Sequence, residues 1–337
     1  MTSFQKDGDL VRIITLSDSG VAQAIFGPLH RHLAHIQEAF RDPSAPRGTP
    51  AYRVTLDAQG DQLTVRARPD GGADLERVQC IVDALAELAR RKGRVREGEV
   101  LAAIAFSEGP SDKPGPMALP QLGGLTLRTP RQVHYVEALR DEALDLIFGV
   151  GPAGTGKTFL AVAAAVEALK QERFDRIIVT RPAVEAGEKL GYLPGDLAEK
   201  VDPYLAPIWD AFRSQINEND LKARRERRQI EVAPLAFMRG RTLANAFVIV
   251  DEAQNATMLQ MKMVLTRLGE GSRMVVTGDP SQIDLVRADQ SGLAHAISIL
   301  EHVPGVEVIR FATQDVVRHR LVAHIVEAYH RDEAGHG

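Results

Sequence analysis

The chain has 337 residues, enough for two domains at about 150 residues each, and its hydrophobic (44%) and charged (26%) fractions are those of globular proteins, not of disordered or fibrous ones. A net charge of −4 provides no general attraction to nucleic acid, so any such contact must come from local basic patches. The one cysteine, Cys80, rules out an internal disulfide or a thiolate metal cluster, the ten histidines lack zinc-ligand spacing, and without a signal peptide or an apolar run of membrane-spanning length a cytoplasmic protein is expected.

In chain order, the pattern predicts a strand at residues 11–14 and helices at 21–26 and 33–40, parted by Gly27 and Pro28. A hairpin of strands 52–56 and 62–66 turns at 57–60, and an amphipathic helix follows over 73–91. This β-α-α-β-β-α order is that of the KH type of RNA-binding module, and Gly27-Pro28-Leu29-His30 stands where such a module carries its GXXG phosphate clamp. His30 replaces the second glycine, and its side chain obstructs the close backbone approach. A small α+β, KH-like domain over residues 1–107 is expected, serving RNA binding or docking. Residues 108–128 include Gly109, Pro110, Pro114, Gly115, Pro116, Pro120, Gly123 and Gly124, which predicts a linker without helix or sheet. From 129 to 337, apolar runs at 146–148, 177–179, 247–250, 274–277 and 306–311 alternate with helical segments, the pattern of an α/β domain whose parallel sheet is covered by helices.

Gly151-Pro152-Ala153-Gly154-Thr155-Gly156-Lys157-Thr158 fits G-x-x-x-x-G-K-[ST] between a strand and the helical run 159–169. Glycines there let successive N–H groups surround a phosphate at a helix N-terminus, whose dipole favours anions. Lys157 is expected on the β- and γ-phosphates of ATP, and Thr158 on Mg²⁺. A second apolar strand ends in Asp251-Glu252. Asp251 would hold Mg²⁺ through its water shell, and Glu252 would polarise an attacking water, which favours hydrolysis over transfer to an acceptor hydroxyl. A third strand delivers Thr277, Asp279 and Gln282 to the carboxyl edge of the sheet, either to sense the γ-phosphate or simply to turn the chain.

No Asn/Thr-Lys-x-Asp guanine-recognition pattern follows the loop, so ATP is favoured over GTP. Gln132 lies where nucleic-acid helicases carry an adenine-reading glutamine, and also where a helix begins. Arg318, Arg239 and Arg241 are candidates for an arginine finger, each also readable as a surface ion pair. The basic clusters at 90–96 and 222–228 are not interleaved with aromatics and read first as solvated faces, with RNA patches second. Trp209 reads as a packing residue.

Residues 149–160, 180–191, 234–243, 251–255, 261–269, 278–285 and 315–322 resemble the PhoH-like family of bacterial P-loop ATPases, a resemblance that runs from about 129 to 329 and more weakly through the N-terminal region. It implies a RecA-like core akin to superfamily 1 helicases, hexameric rings, an association with RNA metabolism and a link to a metal-dependent endoribonuclease. It also implies that Arg318 acts as a finger across a subunit boundary, and it sets Arg181 and Glu188 in the motif after the second strand. Arg320 and Arg131 depart from the family pattern, which commonly has proline and asparagine there. The expected activity is Mg²⁺-dependent ATP hydrolysis coupled to RNA remodelling. The alternative is a nucleotide-gated ring that recruits an endoribonuclease or ribosomal component without moving on RNA.

Overall fold

The computed structural model describes residues 2–6, 8–42, 44, 51–108, 118–182, 197–285 and 291–317, with the backbone alone at 2–6 and 197–204. The chain divides into two compact units, Met1–Pro130 and Arg131–Gly337.

In the first unit, β1 (Thr2–Lys6), β2 (Asp9–Thr15), α1 (Ser19–Phe26), α2 (Arg31–Glu38), β3 (Val54–Gln59), β4 (Gln62–Ala67), α3 (Gly72–Lys92) and α4 (Glu97–Phe106) follow one another. The strands form one antiparallel sheet in the order β1-β2-β4-β3. Strict alternation explains the packing: Leu63, Val65 and Ala67 of β4 are buried together with Ile25, Ile36, Ile81 and Leu85 from the helices. Helix α1 starts where the Asp18 carboxylate accepts from the Val21 N–H at 2.8 Å. It ends at Gly27, where φ is 69° and a Cβ would lie 2.5 Å from the His32 ring. Strand β1 and helix α4 add to the elements expected from sequence.

The stretch expected to be a structureless linker is partly a hairpin, β5 (Gln121–Leu122) with β6 (Leu125–Thr126). Gly123, with φ at 57°, supplies the turn, and Leu122 and Leu127 anchor it by burial.

The second unit contains α5 (Pro130–Arg140), which begins at the boundary, then β7 (Leu146–Val150), α6 (Lys157–Lys170), β8 (Arg176–Arg181), α7 (Leu197–Arg213), α8 (Glu218–Glu226) and β9 (Ile230–Pro234). It continues through β10 (Ala246–Val250), α9 (Met258–Leu265), β11 (Arg273–Gly278), α10 (Gly292–Leu300) and β12 (Val306–Arg310). Six strands pair in parallel in the order β12-β7-β11-β10-β8-β9. Every residue of β7, β10 and β11 is buried, which is why these strands read as unbroken apolar runs. From β7 the chain crosses to β8 on one side, whereas β12 returns on the other. The carboxyl end of β7 is therefore the switch point at which such sheets open a crevice. Strand β9 was not expected, because it lies at the sheet edge with Glu231 and Val232 only half covered and so has no continuous apolar run.

Candidate nucleotide-binding site

The loop at the switch point is shaped by close packing before any chemistry enters. Gly151 has φ at 137°, and a Cβ there would stand 2.4 Å from the carbonyl oxygen of Phe311, so only glycine fits. Its N–H donates to the Gly278 carbonyl at 3.1 Å, tying the loop to β11. Gly154 and Gly156 also sit in the left-handed region, at φ 84° and 86°. The Ala153 N–H is taken by Asp279 Oδ2 at 3.0 Å, while Pro152 has no N–H to offer and contributes a carbonyl. Thr155 is fully buried, and its hydroxyl donates to the Pro152 carbonyl at 3.1 Å.

Among the described residues, no protein oxygen accepts from the N–H groups of Gly154, Gly156, Lys157 or Thr158. These donors gather at the N-terminus of α6, where the helix dipole adds partial positive charge. The Lys157 ammonium curls over them, donating to the Gly151 and Pro152 carbonyls at 2.6 and 2.7 Å. Burial pushes its pKa below that of an ordinary lysine, while Asp279, Glu252 and Asp251 act to raise it. An oxyanion in this cradle meets unpaired amides and a desolvated cation, so the residues fit a phosphate.

Asp251 stands at the end of β10 with one carboxylate oxygen shared between two hydroxyls: Thr158 Oγ1 donates to Oδ1 at 2.6 Å, and Thr277 Oγ1 donates to it at 2.8 Å. Helix α6 and strands β10 and β11 thus converge on one acidic group, with hard oxygen donors suited to Mg²⁺. No group of three or more His, Cys, Asp or Glu among the described residues could hold a metal alone. A cation here would take its remaining ligands from phosphate and water.

Glu252 follows in the left-handed region, at φ 50°, an unfavourable conformation for a non-glycine residue. Its carboxylate is held from two sides. Gln254 Nε2 donates to Oε2 at 2.6 Å, and the Arg181 guanidinium lies 3.4 Å from Oε1. The same Gln254 accepts the Asp279 N–H at 3.0 Å through Oε1, so one buried amide couples Glu252 to the loop after β11. Neither Gln254 nor its bridging role was singled out from sequence. The signal was its place two residues past the carboxylate pair.

The resulting cleft holds about 250 Å³ and is lined by Gly154, Lys157, Thr158, Asp251, Glu252 and Gln282 among others. Thr277 and Asp279 act as braces for Asp251 and Ala153, and Gln282 is exposed at the rim. Gln132 lies behind the loop rather than in the cleft lining: it is buried, and its Nε2 donates to the Thr155 carbonyl at 2.9 Å. Arg241 forks onto Glu231 at 2.6 and 2.8 Å, and neither it nor exposed Arg239 lines the cleft. Arg318 and Glu188 lie outside the described residues. The residue before Arg318, Val317, donates its N–H to the Gly154 carbonyl at 2.9 Å, so the chain leaving β12 is pinned to its own phosphate loop.

A parallel sheet in this order, with the glycine loop after β7 and the Asp251-Glu252 pair after β10, defines a P-loop nucleotide-binding core. Residues 124–330 match the PhoH-like protein family, and the chain belongs to it. It is 57% identical over 205 residues to a PhoH-like protein of Bacillus subtilis, a match covering 61% of this chain and 64% of that one. It is 47% identical to the protein PhoH of Escherichia coli, covering 60% and 57%. The match thus spans less than two thirds of either relative. The SWI2/SNF2 ATPase core of Sulfolobus solfataricus overlaps the chain with a TM-score of 0.33 at 18% identity, over 52% of this chain and 38% of that one, and nothing about function follows from it. No helix among the described residues is long and apolar enough to cross a membrane.

Proposed function

We propose that this chain binds ATP with Mg²⁺, hydrolyses it to ADP and phosphate, and couples turnover to the remodelling of RNA. The observation that carries the reading is the approach of Thr158 Oγ1 to Asp251 Oδ1 at 2.6 Å, beside Lys157 and the unpaired amides of the loop. Lys157 and the amides of 154–158 bind the phosphates, while Thr158 and Asp251 hold the cation. Bound Mg²⁺ supplies charge neutralisation on the phosphate oxygens. Glu252 orients and deprotonates the attacking water, Gln282 at the rim contacts the γ-phosphate, and Gln132 supports the loop from behind. Arg318 stabilises charge on the transferring phosphoryl group. The family resemblance supports a cytoplasmic hexameric ring, RNA as the acted-upon polymer and an endoribonuclease partner. The element order of residues 1–107 supports a KH-like unit.

Phosphate release from ATP, measured with and without single- and double-stranded RNA and alongside native mass, tests the proposal. RNA-stimulated turnover by a ring is expected; no phosphate release under any condition would refute it. The nucleotide-gated adaptor is favoured by one observation, the restraint of Glu252 by Arg181 and Gln254. On that reading ATP binds and orders the ring, RNA does not stimulate turnover, and freeing the carboxylate by Arg181→Ala changes basal hydrolysis without conferring strand separation.

A further inference from the structure

A second cleft lies on the edge strand β9 and shares no lining residue with the phosphate site. It holds about 460 Å³, within the roughly 300–1,000 Å³ of small-ligand clefts. Its walls are Trp209 of α7, Arg225 of α8, Arg228, Arg241 and the β9 residues Ile230 and Val232. The chain reverses from α8 into β9 through Arg228, whose φ of 57° is left-handed, and the Gln229 N–H closes the turn on the Arg224 carbonyl at 2.8 Å. That turn sets Arg225 and Arg228 on the same cleft. The Arg225 guanidinium lies 4.2 Å from the centroid of the Trp209 ring, which itself leans on buried Phe212 with ring centroids 6.0 Å apart.

Charge in this cleft is unbalanced. Arg241 is matched by Glu231, but among the described residues neither Arg225 nor Arg228 has a carboxylate partner. Three guanidinium groups therefore line a cleft with one carboxylate. An acidic peptide would answer the charge and leave the indole–guanidinium stack unused. A polyanion carrying planar bases answers both, because a base extends the stack over Arg225 while Arg228 meets the flanking phosphate. The bases must be unpaired to reach it, since those of a duplex are stacked on one another.

We propose that this cleft binds a segment of single-stranded nucleic acid, with a base stacked on the Trp209–Arg225 pair and a phosphate on Arg228. The proposal deepens the RNA half of the function proposed above and is separable from hydrolysis. Trp209 is the only tryptophan, so its fluorescence reports on this cleft alone. The test titrates the full chain with a ten-residue oligouridylate, reading tryptophan quenching and the anisotropy of a labelled copy. Polyphosphate and polyglutamate of matched charge serve as competitors. Quenching by the oligonucleotide is expected, with at least a tenfold preference over either competitor. The double variant Arg225→Ala/Arg228→Ala should bind at least tenfold more weakly, with its salt slope reduced by about 1.4, and should keep its RNA-free ATP turnover. An unchanged Trp209 signal at saturating oligonucleotide, equal or tighter binding of polyglutamate, or undiminished affinity in the double variant overturns the proposal. Loss of ATP turnover with nucleic-acid binding intact would instead count against hydrolysis.

Discussion

At the scale of single residues, the site is a set of groups each doing one task in a shared acidic and cationic field. Lys157→Ala removes the only ammonium among the lining residues of the cleft, and nucleotide binding should be lost, as measured by calorimetry with ATP. Glu252→Gln keeps the shape of the side chain but cannot take a proton, so ATP should bind with little change while turnover falls by about 10²–10⁴-fold. Undiminished phosphate release in that variant would remove the base role from Glu252. The pH dependence has a definite sign. Lys157 binds phosphate only when protonated, and burial depresses its pKa. Affinity is therefore full at neutral pH and declines as pH rises, with an alkaline midpoint in the free protein below that of an ordinary lysine. Lys157→Arg should move any remaining affinity loss to higher pH, because a guanidinium does not deprotonate in that range.

At the scale of elements, the geometry rests on three parallel strands ending together. Strands β7, β10 and β11 place Gly151, Asp251 and Thr277 at one edge because their registers align Val150 with Gly278 and Val250 with Val276. The loop then depends on contact with the segment after β12. Gly151→Ala would force a methyl into the Phe311 carbonyl at a backbone angle that alanine resists. It should lower stability by about 2–4 kcal/mol and weaken ATP binding, read as a fall in Tm and a loss of the stabilisation that saturating ATP confers. A Tm equal to that of the parent would show that the loop adjusts freely.

For the whole molecule, each unit has a hydrophobic core of its own. Residues 1–130 expressed alone should therefore unfold cooperatively in urea, followed by far-UV circular dichroism; a broad, non-cooperative loss of signal would contradict an independent core. Assembly enters through Arg318. Arg318→Ala should depress turnover while leaving ATP affinity nearly intact. Mixing it with Lys157→Ala subunits should restore turnover if the arginine serves a neighbour, since each variant then supplies what the other lacks. The anchoring of Val317 on Gly154 of the same chain makes the opposite result, no rescue, the signature of action within one subunit.

The phosphate loop, the carboxylate pair and the central strands were legible in the amino-acid order because their causes are local. Glycine is demanded wherever φ is positive or a carbonyl presses close, as at Gly151, and a strand covered on both faces must be apolar throughout, as in β10. Edge strand β9, covered on one side, carried no such run, and the hairpin at 121–126 was hidden by the glycines that make its turn. Other assignments depended on residues far apart in sequence. Gln132 is committed to Thr155, Arg181 and Gln254 restrain Glu252, and Trp209 meets Arg225, so that a basic cluster without aromatic neighbours in sequence gains one in space. Only the tertiary structure could decide these, because hydrogen bonds, ion pairs and ring contacts depend on distance through space, which separation along the chain does not encode.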